Sequence, residues 1–331
     1  MWHRFARERG ENPENGTIGG ELRIDTTSLP GAVEPMERKD HMDFFGAVAL
    51  IAFALHLAFN QVVVSVTNGG FQPVFQAGVR SAGAVLVLAL WMRMRGVSFH
   101  VPRAAILGGV LSGLFFALEF LCLFNALDVT TVSRASVIFY SMPVWLALIA
   151  HFYFPGEGLT SGKVVGLVLA MSGVAIALSD RSGGEVSWTG DLLALFAAFC
   201  WAGIVVCVRL TPLSQVPPAQ QLMFQVMISA PILLILAPFF GPFLREVAPI
   251  HLVGLVFQIV AVASLGFLAW FWLMSIYPAS SVASFSFLSP VFSVILGWLL
   301  LREDVALSVW GALVLVAGGI YLINHKPRHR I

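Results

Sequence analysis

Four ionisable side chains, His56, Arg80, Glu119 and Arg134, lie within long apolar runs. In hydrocarbon a charged group at mid-helix costs about 2.5–3.5 kcal/mol, so such residues are expected to face protein or a wet cavity. Arg80 has Gln76 one helical turn earlier on the same face. Its guanidinium could grip a carboxylate through two parallel hydrogen bonds, or pair structurally with Glu119 or a backbone carbonyl. Glu119, midway along its run, could carry a proton in exchange for a substrate; a neutral hydrogen-bonded acid or a salt bridge would explain it equally. His56 and Asn60 share a helical face that suits either cavity lining or an interhelical hydrogen bond. Arg134 lies near the end of its run, where snorkelling to the interface is expected.

Two prolines, Pro143 and Pro290, fall near the middles of apolar runs. A proline inside a helix leaves the carbonyl four residues earlier unpaired, here those of Phe139 and Ser286. Such backbone is tolerated in a membrane only beside protein or a wet cavity, so this pair points to a site and a hinge, against a passive packing kink. Nearby aromatics, Tyr140, Trp201, Trp270 and Phe287, could hold an amphipathic ligand without a strict hydrogen-bond pattern; as anchors or packing residues they need no ligand.

Other chemistry finds no support. Cys122, Cys200 and Cys207 lie in apolar runs and read as small core residues. Neither H-E-x-x-H nor G-x-S-x-G is present, and His56 has no second histidine in its run, so no metal, cofactor or catalytic set is expected. The stretch GEGLTSGKV has the wrong glycine spacing for a phosphate loop and carries Val164 where Ser or Thr is required.

The elements that must position these residues are set by composition. Of the 331 residues 58% are hydrophobic and 11% charged, where a soluble domain has roughly 25% charged. A formal charge of +1 argues against nucleic acid as a partner. Crossing the bilayer core takes about 20 apolar residues. That length predicts ten spans, at 43–64, 73–92, 104–127, 130–153, 162–179, 188–208, 219–240, 250–276, 279–301 and 306–324. Residues 1–41 and 326–331 read as solvated cytoplasmic tails with no secretory leader. With the N-terminus inside, Arg38, Lys39, Arg93, Arg95, Arg103, Lys163, Arg209, Lys326, Arg328 and Arg330 fall inside, and only Arg181, Arg245 and Arg302 outside. The positive-inside rule therefore predicts both termini in the cytoplasm.

The chain also repeats. Gly46–Val64 lies over Gly190–Val208, Pro73–Gln76 over Pro218–Gln221, Met142–Trp145 over Ser289–Phe292, and Gly166–Gly173 over Gly311–Gly318, at shifts of 144, 145, 147 and 145 residues. A unit of five spans means that the second copy, 181–325, enters from the side opposite to the first, 42–180. The repeat places Gln225 opposite Arg80. Gly109-x-x-x-Gly113 and Gly162-x-x-x-Gly166 read as seams for close helix contact.

This pattern, with PGEGLTSGKVVGLVLAMSGVAIAL and its counterpart REDVALSVWGALVLVAGGIYLI, resembles the EamA halves of the drug/metabolite transporter superfamily over about residues 43–325. The stretch ALDVTTVSRASVIFYSMPVW is similar to YddG-type exporters of aromatic and other amino acids. The resemblance implies an all-α polytopic protein of two inverted five-helix repeats in a bacterial inner membrane, exporting amino acids or related metabolites by alternating access. The substrate residues expected are His56, Asn60, Gln76, Arg80, Glu119, Tyr140, Trp201, Gln225, Trp270 and Phe287, with Pro143 and Pro290 as hinges. Partners are then a small molecule and lipid; proton coupling and a homodimer stay open. Efflux of hydrophobic cations and an intramembrane enzyme are the competing readings.

Overall fold

The computed structural model describes residues 43–154, 158–179, 187–277 and 285–324. Both tails and the loops at Pro155-Gly156 and Ser182–Gly184 lie outside the described residues. The described chain is helical throughout its spans: α1 Phe44–Asn68, α2 Pro73–Met94, α3 Arg103–Val129, α4 Val132–Phe139, α5 Met142–Tyr153, α6 Ser161–Ser179, α7 Trp188–Leu210, α8 Pro218–Leu236, α9 Pro249–Phe257, α10 Phe267–Ile276, α11 Leu288–Leu300 and α12 Leu307–Asn324. A π-helical segment, Gln258–Gly266, joins α9 to α10. Among the described residues nine helical stretches are long and apolar enough to span a bilayer, α4–α5 counting as one, and the shorter α11 makes the tenth. With no water to satisfy peptide groups in lipid, helices that close their own hydrogen bonds are the expected solution.

The helix starts follow the sequence. Asp43 Oδ1 accepts from Gly46 N at 2.8 Å and caps α1. Thr131 and Ser187 cap α4 and α7 in the same way, each worth about 1 kcal/mol. Pro73, Pro218 and Pro249 open α2, α8 and α9, where a missing N–H costs nothing. Large side chains such as Leu86, Ile235 and Val314 are exposed and form the lipid face.

Packing repeats between the halves. The repeat-related helices α2 and α8 pack on each other, as do α6 and α12. The packing of α1 on α11 is matched by that of α7 on α4 and α5; α3 on α7 is matched by α1 on α9 and the π segment. Two bundles result, α3–α4–α5–α7 and α1–α9–α10–α11, meeting where α1 and α11 touch α3 and α4. The α6–α12 seam needs bare backbone: a Cβ on Gly166 would lie 2.7 Å from the Gly319 carbonyl, and one on Gly319 2.5 Å from that of Gly166. Gly109 and Gly113 press on Phe224 and Ile228 as expected, but Gly162 faces open space and takes no part.

The prolines act differently from expectation. The fourth span is broken at Tyr140–Ser141, and Pro143 occupies the first turn of α5. Pro290 likewise sits in the first turn of α11, and the Ser286 carbonyl is not orphaned, since it accepts from Ser289 N at 3.3 Å. Ser141 closes the break: its N and Oγ both donate to Ile138 O, at 3.1 and 2.6 Å, and it receives Trp145 Nε1 at 3.0 Å. A proline at a helix start breaks nothing by itself; it sets where the second helix begins.

Candidate functional site

At the centre, α2 presents Arg80 and α3 presents Glu119, 2% and 5% exposed. The Arg80 guanidinium lies over the Phe120 ring at 4.1 Å and near Phe124 at 5.6 Å, contacts worth about 2 kcal/mol when desolvated. Its Nε and Nη1 are buried without a hydrogen-bond partner. Arg80 and Glu119 feel each other's charge but do not form a direct ion pair. A buried donor without a partner costs about 1–3 kcal/mol, more when charged, so Arg80 stores a demand for an acceptor.

Tyr140, 5% exposed, stands at the break of the fourth span on the same side as Glu119. Its hydroxyl faces Gln61 of α1 and Ser289 and Ser293 of α11. Trp201 of α7 stacks on Phe139 at 5.0 Å and meets Tyr140 edge-on at 6.1 Å. Asn60, beside Gln61 in sequence, is also buried, and its Oδ1 lacks a partner. Arg80, Glu119, Tyr140 and Trp201 therefore share one region.

The other expected residues serve elsewhere. Gln76 Nε2 donates to Gln258 Oε1 at 3.2 Å, and Gln258 Nε2 donates to Thr67 Oγ1 at 3.2 Å, tying α1 and α2 to the π segment. Gln225 Nε2 donates to Ser112 Oγ at 3.1 Å, joining α8 to α3. His56 Nε2 lies 3.1 Å from Ala261 O and serves a carbonyl of the π segment. Trp270 stacks on Phe53 at 4.9 Å in a separate apolar cluster, and Phe287 packs edge-on against Tyr321 at 5.9 Å. Arg134 does not snorkel: it is 3% exposed and makes a bidentate pair with Asp191 at 2.7 and 2.9 Å. The reason is that Asp191 lies in the first turn of α7, buried beside α4, rather than in a solvated loop.

Sequence reasoning missed Gln61, Ser289 and Ser293. The signal was there: Ser289 and Ser293 are one helical turn apart around Pro290, and Gln61 is a second amide in the middle of the first span. It also missed Glu303, whose carboxylate holds the start of α4 through Val132 N at 2.5 Å and Ser133 N at 2.9 Å. A loop carboxylate capping a helix 170 residues away has no local signature.

An all-helical polytopic bundle of two five-helix repeats, with an unpaired charge and a broken helix at its centre, has the architecture of a secondary transporter. The EamA-like transporter family matches this chain twice, at residues 44–179 and 188–325, and the chain belongs to that family. It is 30% identical over 262 residues to YvbV of Bacillus subtilis, named an uncharacterized transporter, covering 77% of this chain and 84% of that protein. To YoaV of the same organism, named likewise, it is 22% identical over 286 residues, covering 83% and 95%. A solved crystal structure superposes with a TM-score of 0.62 at 19% identity, covering 84% of this chain and 97% of that one, a likeness of fold. The protein is thus a multi-pass membrane transporter, and its family and relatives are consistent with a non-enzymatic role.

Proposed function

We propose that this transporter exports amino acids or closely related amino-bearing carboxylates across a bacterial inner membrane, both termini inside, by alternating access of two halves, 42–180 and 181–325. The observation that carries this reading is Arg80: buried, unpartnered at Nε and Nη1, and set beside a Glu119 that does not neutralise it directly. A carboxylate would take up one of the free donors, Nε or Nη1, in a fork with the neighbouring Nη2. An ammonium on the same molecule finds the Glu119 carboxylate. Phe120, Phe124, Phe139 and Trp201 supply apolar walls. A hydrophobic cation fits less well, because Arg80 would repel it. Glu119 is the candidate for proton exchange, and the break at Tyr140–Ser141 with the α11 start at Pro290 supplies hinges.

The test is uptake of labelled amino acids by purified protein in liposomes. Arg80→Ala removes charge-assisted hydrogen bonds worth about 1.5–3 kcal/mol, so flux should fall about ten- to hundredfold. Arg80→Lys, which keeps the charge but not the two-pronged geometry, should lose most of that flux too. Glu119→Gln should change the pH dependence of transport. Absence of any amino-acid flux in the parent protein would end the substrate assignment and leave the fold untouched.

A further inference from the structure

We propose that the helix break at Tyr140 forms a second subsite, built by Gln61, Ser136, Tyr140, Ser289 and Ser293, that selects substrates whose side chain carries a hydroxyl or carboxamide. The proposal rests on the amino-acid reading above and adds to it the class of side chain. Three helices that otherwise bury apolar surface converge here: α4 packs on α11, and α1 packs on both. Each contributes polar atoms at full burial. Gln61 is 3% exposed, Ser136 and Ser293 0%, Ser289 4%.

What distinguishes this cluster from the interhelical ties is that each of three converging helices brings a side-chain oxygen without a partner. Gln225, Gln258, Ser81 and Ser229 spend side-chain bonds on one another or on neighbouring hydroxyls, and Gln76 does so through Nε2 while its Oε1 stays without a partner. Gln61 Oε1, Ser136 Oγ and Ser293 Oγ make no hydrogen bond of good geometry, although the Tyr140 hydroxyl stands close to Gln61 and Ser293. Ser136 lies one turn before Tyr140 on α4, and Ser289 one turn before Ser293 on α11, so each pair lies along one helix face. The free inventory is mixed: an amide carbonyl that only accepts, and hydroxyls that donate or accept. Its complement is a group that both donates and accepts, which a hydroxyl or carboxamide does and a methyl does not. Nonpolar side chains would leave these atoms buried and unpaired, and that penalty is the source of selectivity.

The experiment uses the full chain in liposomes and compares labelled threonine with valine, which have nearly the same shape. Threonine should be moved at least about tenfold more efficiently, because a site built to bond a hydroxyl rejects the analogue lacking it. Ser289→Ala with Ser293→Ala should bring the threonine-to-valine ratio to within about threefold of one. Tyr140→Phe should lower the same ratio less. Equal transport of both substrates by the parent protein, which needs no folded variant, overturns the subsite while leaving the amino-acid reading in place. A ratio unchanged in the double serine variant also overturns it. Failure to move either amino acid counts against the parent reading and removes the subsite with it.

Discussion

The two ends of the helical bundle are tied in different ways. At the end bearing Asp128, Arg245 and Glu303, side-chain bonds cross between the bundles. Glu303, in the α11–α12 loop, holds the start of α4, and Ser133 Oγ reaches Val294 O at 3.4 Å. Arg245 clasps Asp128 at 2.6 and 2.8 Å and donates to Asn68 O at 2.8 Å, while Asn68 Nδ2 donates to Phe124 O at 3.0 Å. At the end bearing Lys163 and Arg209, Gln220 of α8 ties the second half to the first by donating to Ser98 O in the α2–α3 loop, while other described bonds stay within a bundle. Tyr277 donates to Asp43 at 2.7 Å, and Arg209 lies over Phe154 at 4.0 Å. Bonds that cross must open if the bundles separate there; bonds that stay within need not. Among the described residues the two bundles are therefore held together at the Glu303 end, which the positive-inside reading puts outside.

Among the contacts of the Glu303 end, the largest expected effect belongs to one that does not cross. Arg134 and Asp191 join α4 to α7 inside a single bundle, fully buried. Arg134→Ala takes the guanidinium from a buried carboxylate, a loss of about 3–5 kcal/mol. Thermal unfolding in detergent should show a large drop in stability, while the protein that does fold keeps its preference for closure at this end. A stable Arg134→Ala protein that had instead opened at the Glu303 end would place this pair among the locks and erase the distinction.

Glu303 gives the next effect, and it should act on conformation more than on stability. Its approach to α4 depends on two backbone features. Arg302 adopts a left-handed φ of 54°, which turns the chain back after α11. Gly297 leaves room, since a Cβ there would sit 2.5 Å from Glu303 Oε2 and 2.7 Å from Ser133 Oγ. Glu303→Ala removes a cap worth about 1–2 kcal/mol, so a cysteine placed at the α4 start should react about five- to thirtyfold faster with a membrane-impermeant thiol reagent. Gly297→Ala, which displaces the carboxylate without removing it, should move labelling in the same direction. Unchanged reactivity in both variants would mean that this contact does not limit opening.

Much of this fold was open to a reader of the sequence, because bilayer thickness converts hydrophobic length into helices and because the repeat fixes how the halves pair. The shift of about 145 residues matched α2 to α8 and α6 to α12 as copies in the repeat, and the structure adds that the members of each matched pair pack on each other. Arg80, Glu119, Tyr140 and Trp201 were visible because polar or breaker residues in apolar runs are rare. What sequence did not show was which polar groups spend their bonding capacity on neighbours. Gln76 and Gln225 resemble Gln61 in type and depth, yet their amide N–H groups are committed to Gln258 and Ser112, Gln76 Oε1 alone staying without a partner. Arg134 seemed close enough to an interface to reach water until Asp191, 57 residues away, was brought beside it. Such pairings depend on rotation of one helix against another, which periodicity alone leaves free.

The smallest expected effect is at the Arg245–Asp128 clasp, and it tests whether ties at one end are equivalent. The two side chains are 40% and 20% exposed, unlike the buried Arg134 pair, so their attraction is screened and worth at most about 1 kcal/mol. The hydrogen bonds it donates to Asp128 raise the Arg245 guanidinium above its ordinary pKa, so its charge persists across the physiological range. Ionic strength, rather than mild changes of pH, is then the lever on this contact. The surrounding backbone adds a second hold: Gln72 N donates to Phe243 O at 3.0 Å and Arg245 N to Gly70 O at 2.9 Å. With those bonds intact, Asp128→Asn should speed labelling at the Glu303 end by no more than about fivefold in low salt, and by less in high salt. An effect larger than that of Glu303→Ala would make the exposed clasp the principal lock and reverse the order argued from burial.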